Sequence, residues 1–199
     1  LRLLVAAVFF WPLLWIQDRS IFTGALMRQL PWRGIGLAAV CMCVYNLAFF
    51  AGVRDTGVAV GTALALGSGP VWAGLLQVVI NRQLPKRVWW VGTGIAVAGV
   101  VAMVTGNSER ASVSWTGVLM CLMAGLSYAT YAIANQHMVS NASPSTVTAT
   151  VFTMAALMAI PGASMLSGRP DIHTGDVAIV LWLGVVSTGI AYLIFSHAL

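Results

Sequence analysis

VAVGTALALGSGPVWAGLLQVVI, residues 58–80, runs for 23 residues without one charged side chain. Wound as an α-helix at about 1.5 Å per residue it reaches roughly 35 Å. The hydrocarbon core of a bilayer is only about 30 Å thick, so this stretch is long enough to cross it. Small residues recur at every fourth position, Gly57, Gly61, Ala65, Gly69 and Ala73. Such a ridge, repeated within 115–139 by Gly117, Cys121, Gly125 and Ala129, lets a neighbouring helix backbone come close, which is how helices associate in lipid.

Working outward, the same reading applies to 1–16, 34–53, 88–104, 115–139, 147–166 and 177–199, each apolar and joined to the next by a short polar connector. Of the 199 residues, 59% are hydrophobic and only 8% charged, and mean hydropathy is +0.90. Too few charges remain to clothe a water-soluble surface, for which about 25% is usual. The expected fold is therefore all-α: a polytopic transmembrane helix bundle with the lipid bilayer as its partner. The chain opens at Leu1 and closes at Leu199 inside apolar runs, so it reads as a fragment holding seven spans. No basic leader or small-residue cleavage site marks the first run as a signal peptide.

The connectors alternate sides. Those after the first, third and fifth spans carry six basic residues: Arg19, Arg28, Arg33, Arg82, Lys86 and Arg87. Those after the second, fourth and sixth carry three: Arg54, Arg110 and Arg169. The richer side is expected in the cytoplasm, with residue 1 on the outer side. The net charge of +5 thus speaks for membrane orientation and not for nucleic-acid binding. Trp15, Trp32, Trp89, Trp90 and Trp115 fall near span ends, where an amphipathic ring sits at headgroup level. Trp72 falls well inside the third span. Cys41, Cys43 and Cys121 lack metal-ligand spacing and read as packing residues, so no metal and no cofactor are expected.

Polar side chains inside a span are costly in lipid and therefore informative. In the fifth span Tyr128, Tyr131 and Asn135 share one helical stripe; Thr188, Tyr192 and Ser196 make another in the seventh. Tyr45 and Asn46 lie near the middle of the second. Gly67-Ser68-Gly69-Pro70 is the strongest irregularity, because Pro70 removes a backbone donor and should kink the span, with Trp72 just beyond. These residues read either as a weakly polar, aromatic cavity or as interhelical hydrogen bonding without solute contact. None of Asp18, Asp55, Glu109, Asp171 and Asp176 falls inside a span, and His137 and His197 lie towards span ends.

The first two spans resemble the last two. Setting Pro12 on Pro161 pairs Ala6–Ala7 with Ala155–Ala156, and setting Val53 on Leu199 pairs Leu37, Val40, Leu47 and Phe49 with Leu183, Val186, Leu193 and Phe195. Copies an odd number of spans apart enter the membrane from opposite sides, the pattern of inverted repeats.

Four motifs carry a family resemblance: Leu-Arg-Leu-Leu-Val-Ala-Ala at 1–7, the run from Phe49 through Arg54-Asp55-Thr56-Gly57 to Thr62, Gly-Ser-Gly-Pro-Val-Trp-Ala-Gly-Leu-Leu at 67–76, and Gly-Leu-Ser-Tyr-Ala-Thr-Tyr-Ala at 125–132. On these the chain resembles the EamA-type carriers of the drug/metabolite transporter superfamily. The resemblance implies ten spans in two inverted five-helix repeats, of which this chain holds about spans two to eight. It divides the chain into 1–106, a first repeat lacking its first helix, and 107–199, a second lacking its last two. Where the family often has a glutamate after the Pro-bearing helix, this chain has Asn81.

The expectation is then a non-enzymatic, multi-pass carrier in the cell (inner) membrane. It would move a small-molecule solute, an organic metabolite or drug-like compound, by alternating access, and is compatible with a homodimer. Its solute-binding residues would be Tyr45, Asn46, Ser68, Pro70, Trp72, Tyr128, Tyr131, Asn135, Thr188 and Tyr192, with no catalytic residue. The alternatives are an intramembrane hydrolase using Ser68 with a histidine, and a non-transporting membrane scaffold.

Overall fold

A computed structural model describes residues 2–17, 30–82, 84–106, 114–140, 142–167 and 174–198. Every regular element among them is helical. They are α1 (Arg2–Gln17), α2 (Trp32–Thr56), α3 (Val58–Asn81), α4 (Arg87–Gly106), α5 (Trp115–Val139), α6 (Pro144–Ser167) and α7 (Thr174–Gly184). A π-helical segment, Val185–Ile190, carries α7 directly into α8 (Ala191–Ala198). The chain is thus an all-α polytopic bundle. By length and composition four helices suffice to cross a bilayer: Trp32–Thr56, Val58–Ile80, Trp115–Val139 and Pro144–Pro161. The other three expected spans are shorter apolar helices, Leu3–Pro12, Arg87–Met103 and Val177–Ile190. Arg19, Arg28, Arg110, Arg169, Asp18, Glu109 and Asp171 lie outside the described residues.

Helix boundaries follow local chemistry. Pro144 opens α6, where its missing N–H costs nothing and its fixed φ suits a first helical turn. Arg82 closes α3 in the left-handed conformation, φ 52, with its N–H donated to the Val78 carbonyl at 2.9 Å. Between α2 and α3 stands one residue, Gly57, at φ 84 and ψ 156. That region is essentially reserved for glycine, because a Cβ there meets the backbone. Gly57→Ala is expected to lower unfolding free energy by about 1–3 kcal/mol. Gly36→Ala, within α2 and facing open space, should be neutral or slightly stabilising. Denaturant titration of both variants in micelles checks this; equal midpoints would remove the special role of Gly57.

The chain forms two compact units, Leu1–Cys43 with Ala134–Leu199, and Val44–Ile133. Both α2 and α5 contribute to each. This partition by contact differs from the expected repeat division at 106/107, which rests on resemblance and not on compactness.

In the discontinuous unit, α1 packs on α6, on α7 and on the π-helical segment, and α6 packs on α8. The paired alanines Ala6, Ala7, Ala155 and Ala156 are all buried. The ring of Phe10 lies 5.7 Å from that of Phe152, which lies 4.9 Å from that of Tyr192. Trp11 Nε1 donates to Thr153 Oγ1 at 3.1 Å. Residues 145–152 of α6 are buried on every side. Gly34 of α2 lies against Met138 of α5.

In the continuous unit, α3 and α4 pack together. A Cβ at Gly67 would fall 2.8 Å from Val100 Cγ2, and one at Gly74 would overlap the Trp89 ring. The expected ridge on α3 is therefore only partly used. Gly61 and Ala65 are buried, but Gly69 faces open space, and the face towards α4 is set by Gly67 and Gly74, one helical register away. The ridge on α5 holds throughout: Gly117, Cys121, Gly125 and Ala129 are all buried. Of the five boundary tryptophans, Trp15, Trp32, Trp90 and Trp115 are exposed, while Trp89 turns onto Gly74. Asp55, in the last turn of α2, meets Arg54 at 3.5 Å.

Candidate functional site

Tyr45 and Tyr128 each stand halfway along a 25-residue helix, in the continuous unit. Their rings pack with centroids 5.4 Å apart. Phe49, one turn on from Tyr45, joins at 5.8 Å, and Tyr131 lies 6.2 Å from Tyr128. Tyr45, Asn46 and Tyr131 are buried and Tyr128 is partly so. Three phenols thus gather near the middle of their helices, away from the ends where interfacial rings stand. Aromatic pairs at this spacing contribute about 0.5–1.5 kcal/mol each beyond burial.

The second feature of this unit is the contact of α3 with α5. A Cβ on Gly125 would fall 2.8 Å from the Ala65 carbonyl oxygen and 3.4 Å from Trp72 Cδ1, and would overlap Ser68 Oγ. Ala65, Ser68 and Trp72, at i, i+3 and i+7, therefore form one face of α3 against the bare backbone of Gly125. Glycine is required there by that close approach. Ser68 Oγ donates to the Ala65 carbonyl at 3.3 Å, a bond within its own helix. That directs its proton to the backbone. The indole nitrogen of Trp72 is buried with no hydrogen-bond partner. A buried donor left unmade costs about 1–3 kcal/mol, so it calls for an explanation. α3 continues as one helix through Pro70, whose ring is exposed. Having no N–H, Pro70 leaves the Leu66 carbonyl without its helical donor. Pro70 therefore shapes α3 without lining the face that carries Ser68 and Trp72.

The remaining expected residues fall in the other unit. Asn135 is completely buried. Tyr192 packs against Phe152 and, at 6.2 Å, against Phe195. Thr188 sits in the π-helical segment and donates to the Leu183 carbonyl, five residues back, at 2.8 Å. That bond stabilises the wider turn, in which Gly189 lies against the Phe9 ring. Single π-helical turns are rare and recur at functional positions. The stripe of Tyr128, Tyr131 and Asn135 is thus shared: the tyrosines belong to one unit and the asparagine to the other.

The sequence reading passed over the hydroxyl run of α6. Ser143, Ser145, Thr146, Thr148, Thr150 and Thr153 lie within eleven residues. Thr148, Thr150 and Thr153 each donate to the carbonyl four residues back, at 2.7, 2.8 and 2.7 Å. Their acceptor lone pairs stay available, and Thr153 takes the Trp11 proton with one. Thr146 Oγ1 is buried with no hydrogen-bond partner. The density of hydroxyls was the available signal.

Among the described residues no cluster of His, Cys, Asp and Glu could hold a metal ion. Apolar helices of bilayer length, closely packed and enclosing uncharged aromatic groups, define a polytopic membrane protein. The EamA-like transporter family matches residues 1–105 and 115–199, and the chain belongs to that family, within the drug/metabolite transporter superfamily. It is also similar to the "Uncharacterized transporter YwfM" of Bacillus subtilis (strain 168), with 33% identity over 173 residues, 87% of this chain and 58% of that protein. The chain thus spans less than two thirds of its relative's length. No solved structure matches it.

Proposed function

We propose that this chain is the helical part of a carrier that moves a small organic metabolite or drug-like solute by alternating access, crossing the cytoplasmic (inner) membrane several times. Family membership and the relative's name support the transport reading. The observation that carries it furthest is the buried cluster of Tyr45, Tyr128 and Tyr131 at mid-helix. Aromatic, weakly polar rings gathered near the middle of their helices are the kind of lining an organic solute packs against. The connector with Arg82, Lys86 and Arg87 is assigned to the cytoplasm by the positive-inside rule.

The test is solute flux in vesicles that contain the full protein bearing this sequence, screened with labelled organic solutes. Tyr128→Ala and Asn46→Ala should each lower flux roughly tenfold, the equivalent of one lost buried interaction of about 1.4 kcal/mol. Membrane insertion should be unchanged. Undiminished flux in both variants would take these residues out of the solute path.

A further inference from the structure

The face of α3 that meets Gly125 holds an unanswered donor. Trp72 Nε1 is buried and has no partner, and Cδ1, bonded to it, lies beside α5. Indole N–H only donates, so whatever answers it must bring a lone pair. Around this point the α3 and α5 carbonyls are held in helical hydrogen bonds except that of Leu66, which lies one turn from Pro70 on its face of α3 and not on the face of Ser68 and Trp72. Ser68 Oγ, on the same face, donates to Ala65 and keeps its acceptor lone pairs, but it does not reach the indole N–H.

The surroundings define the charge of an occupant. Residues 57–81 and 115–133 contain no Asp, Glu, Lys, Arg or His. The charged residues described in this unit, Arg54, Asp55, Arg82, Lys86 and Arg87, stand at helix ends or in connectors. A carboxylate beside Trp72 would be buried without a counter-ion, at a penalty one indole hydrogen bond does not offset. A quaternary cation suits aromatic rings but leaves the donor unmet. Tyr128 stands three residues from Gly125 on the same side of α5 and packs on Tyr45, so a flat, apolar body has partners alongside.

We infer that the solute is an uncharged compound with a carbonyl-type acceptor, an amide, ester or ketone on an apolar or aromatic body, recognised by the Trp72 indole N–H. This rests on the carrier reading above and names its substrate class.

The experiment labels the indole nitrogens of all eight tryptophans with ¹⁵N in the full protein in micelles. Trp72→Phe identifies the Trp72 signal. N-benzylacetamide and acetophenone should each move that proton downfield, saturably. Phenylacetate and benzyltrimethylammonium should leave it in place. Trp72→Phe should weaken N-benzylacetamide binding roughly tenfold or more with unchanged circular dichroism. If that variant fails to insert, Ser68→Ala identifies the signal through its neighbour, and the ligand comparison stands on the unaltered chain.

Three results overturn the inference: no movement with either neutral acceptor, equal movement with phenylacetate, or a signal already hydrogen-bonded and indifferent to every probe. The last would mean that water serves the donor. An unmoved Trp72 signal together with flux that depends on Tyr128 sinks the recognition and leaves the carrier. A moved signal without flux of any solute does the reverse.

Discussion

Gly52→Val is expected to separate α2 from α5 and to make Cys121 reactive. A Cβ at Gly52 would stand 2.5 Å from Cys121 Sγ, 3.0 Å from the Cys121 nitrogen and 3.0 Å from the Gly117 carbonyl oxygen. Two of those three neighbours are backbone, which no change of rotamer moves. The crossing is equally tight from the other side, since a Cβ on Gly117 meets Thr56 Cγ2 at 2.7 Å and Asp55 Cβ at 2.8 Å. Thr56 adds a hydrogen bond to the Gly52 carbonyl at 2.8 Å and touches Cys121 Sγ at 3.9 Å. In lipid, close packing supplies much of the association energy, so helices forced apart lose it directly. Overpacking of this kind costs about 1–3 kcal/mol, and 2 kcal/mol raises the open population about thirtyfold. In a Cys41→Ala, Cys43→Ala background, maleimide should label Cys121 about thirtyfold faster in Gly52→Val than in the parent. Gly36→Val, set in open space, should label at the parental rate. If Gly52→Val also labels at that rate, the crossing is not as close as described.

The helices were legible because bilayer thickness imposes a length and lipid removes the need for charge. Residues 58–80 and 115–139 needed nothing more, and α3 and α5 cover them. The α5 ridge could be read because one face of a helix meets its neighbours through its smallest residues. The α3 ridge was legible only in part: Gly61 and Ala65 do lie in close contacts. Small residues occur on two of its faces, and spacing does not tell which one meets α4; Gly67 and Gly74 do. At the site, Tyr45 and Tyr128 stood out by depth, whereas their packing against each other depends on α2–α5 geometry that no local pattern encodes. Pro70 drew notice as a helix breaker, yet its ring is exposed. The π-helical segment at 185–190 was invisible, since Val-Val-Ser-Thr-Gly-Ile has no feature that separates it from an α-helical turn. The Trp72 donor was half visible: its depth could be read, but the lack of a partner is a property of the fold.

Phe152→Ala is expected to be the most damaging change in the discontinuous unit. Phe152 is fully buried, and its ring stands between Phe10 of α1 and Tyr192 of α8. Truncation removes two ring pairs worth about 0.5–1.5 kcal/mol each. It also leaves a void between helices that are held next door by the Trp11–Thr153 bond. In soluble cores Phe→Ala costs about 3–5 kcal/mol, part of which is transfer from water. Lipid weakens that part, because an apolar ring released from a helix interface still meets hydrocarbon. The cavity and the lost ring contacts persist, so a loss of about 2–3 kcal/mol is the expected outcome. Phe152→Leu, which refills most of the volume, should recover roughly half of it. Val8→Ala on α1, a side chain 70% exposed, sets the baseline for trimming a lipid-facing position and should lie within about 0.5 kcal/mol of the parent. Denaturant unfolding in micelles, followed by circular dichroism, ranks the three. A Phe152→Ala midpoint level with that of Val8→Ala would mean that these rings face hydrocarbon and not one another, and the α1–α6–α8 core would have to be redrawn.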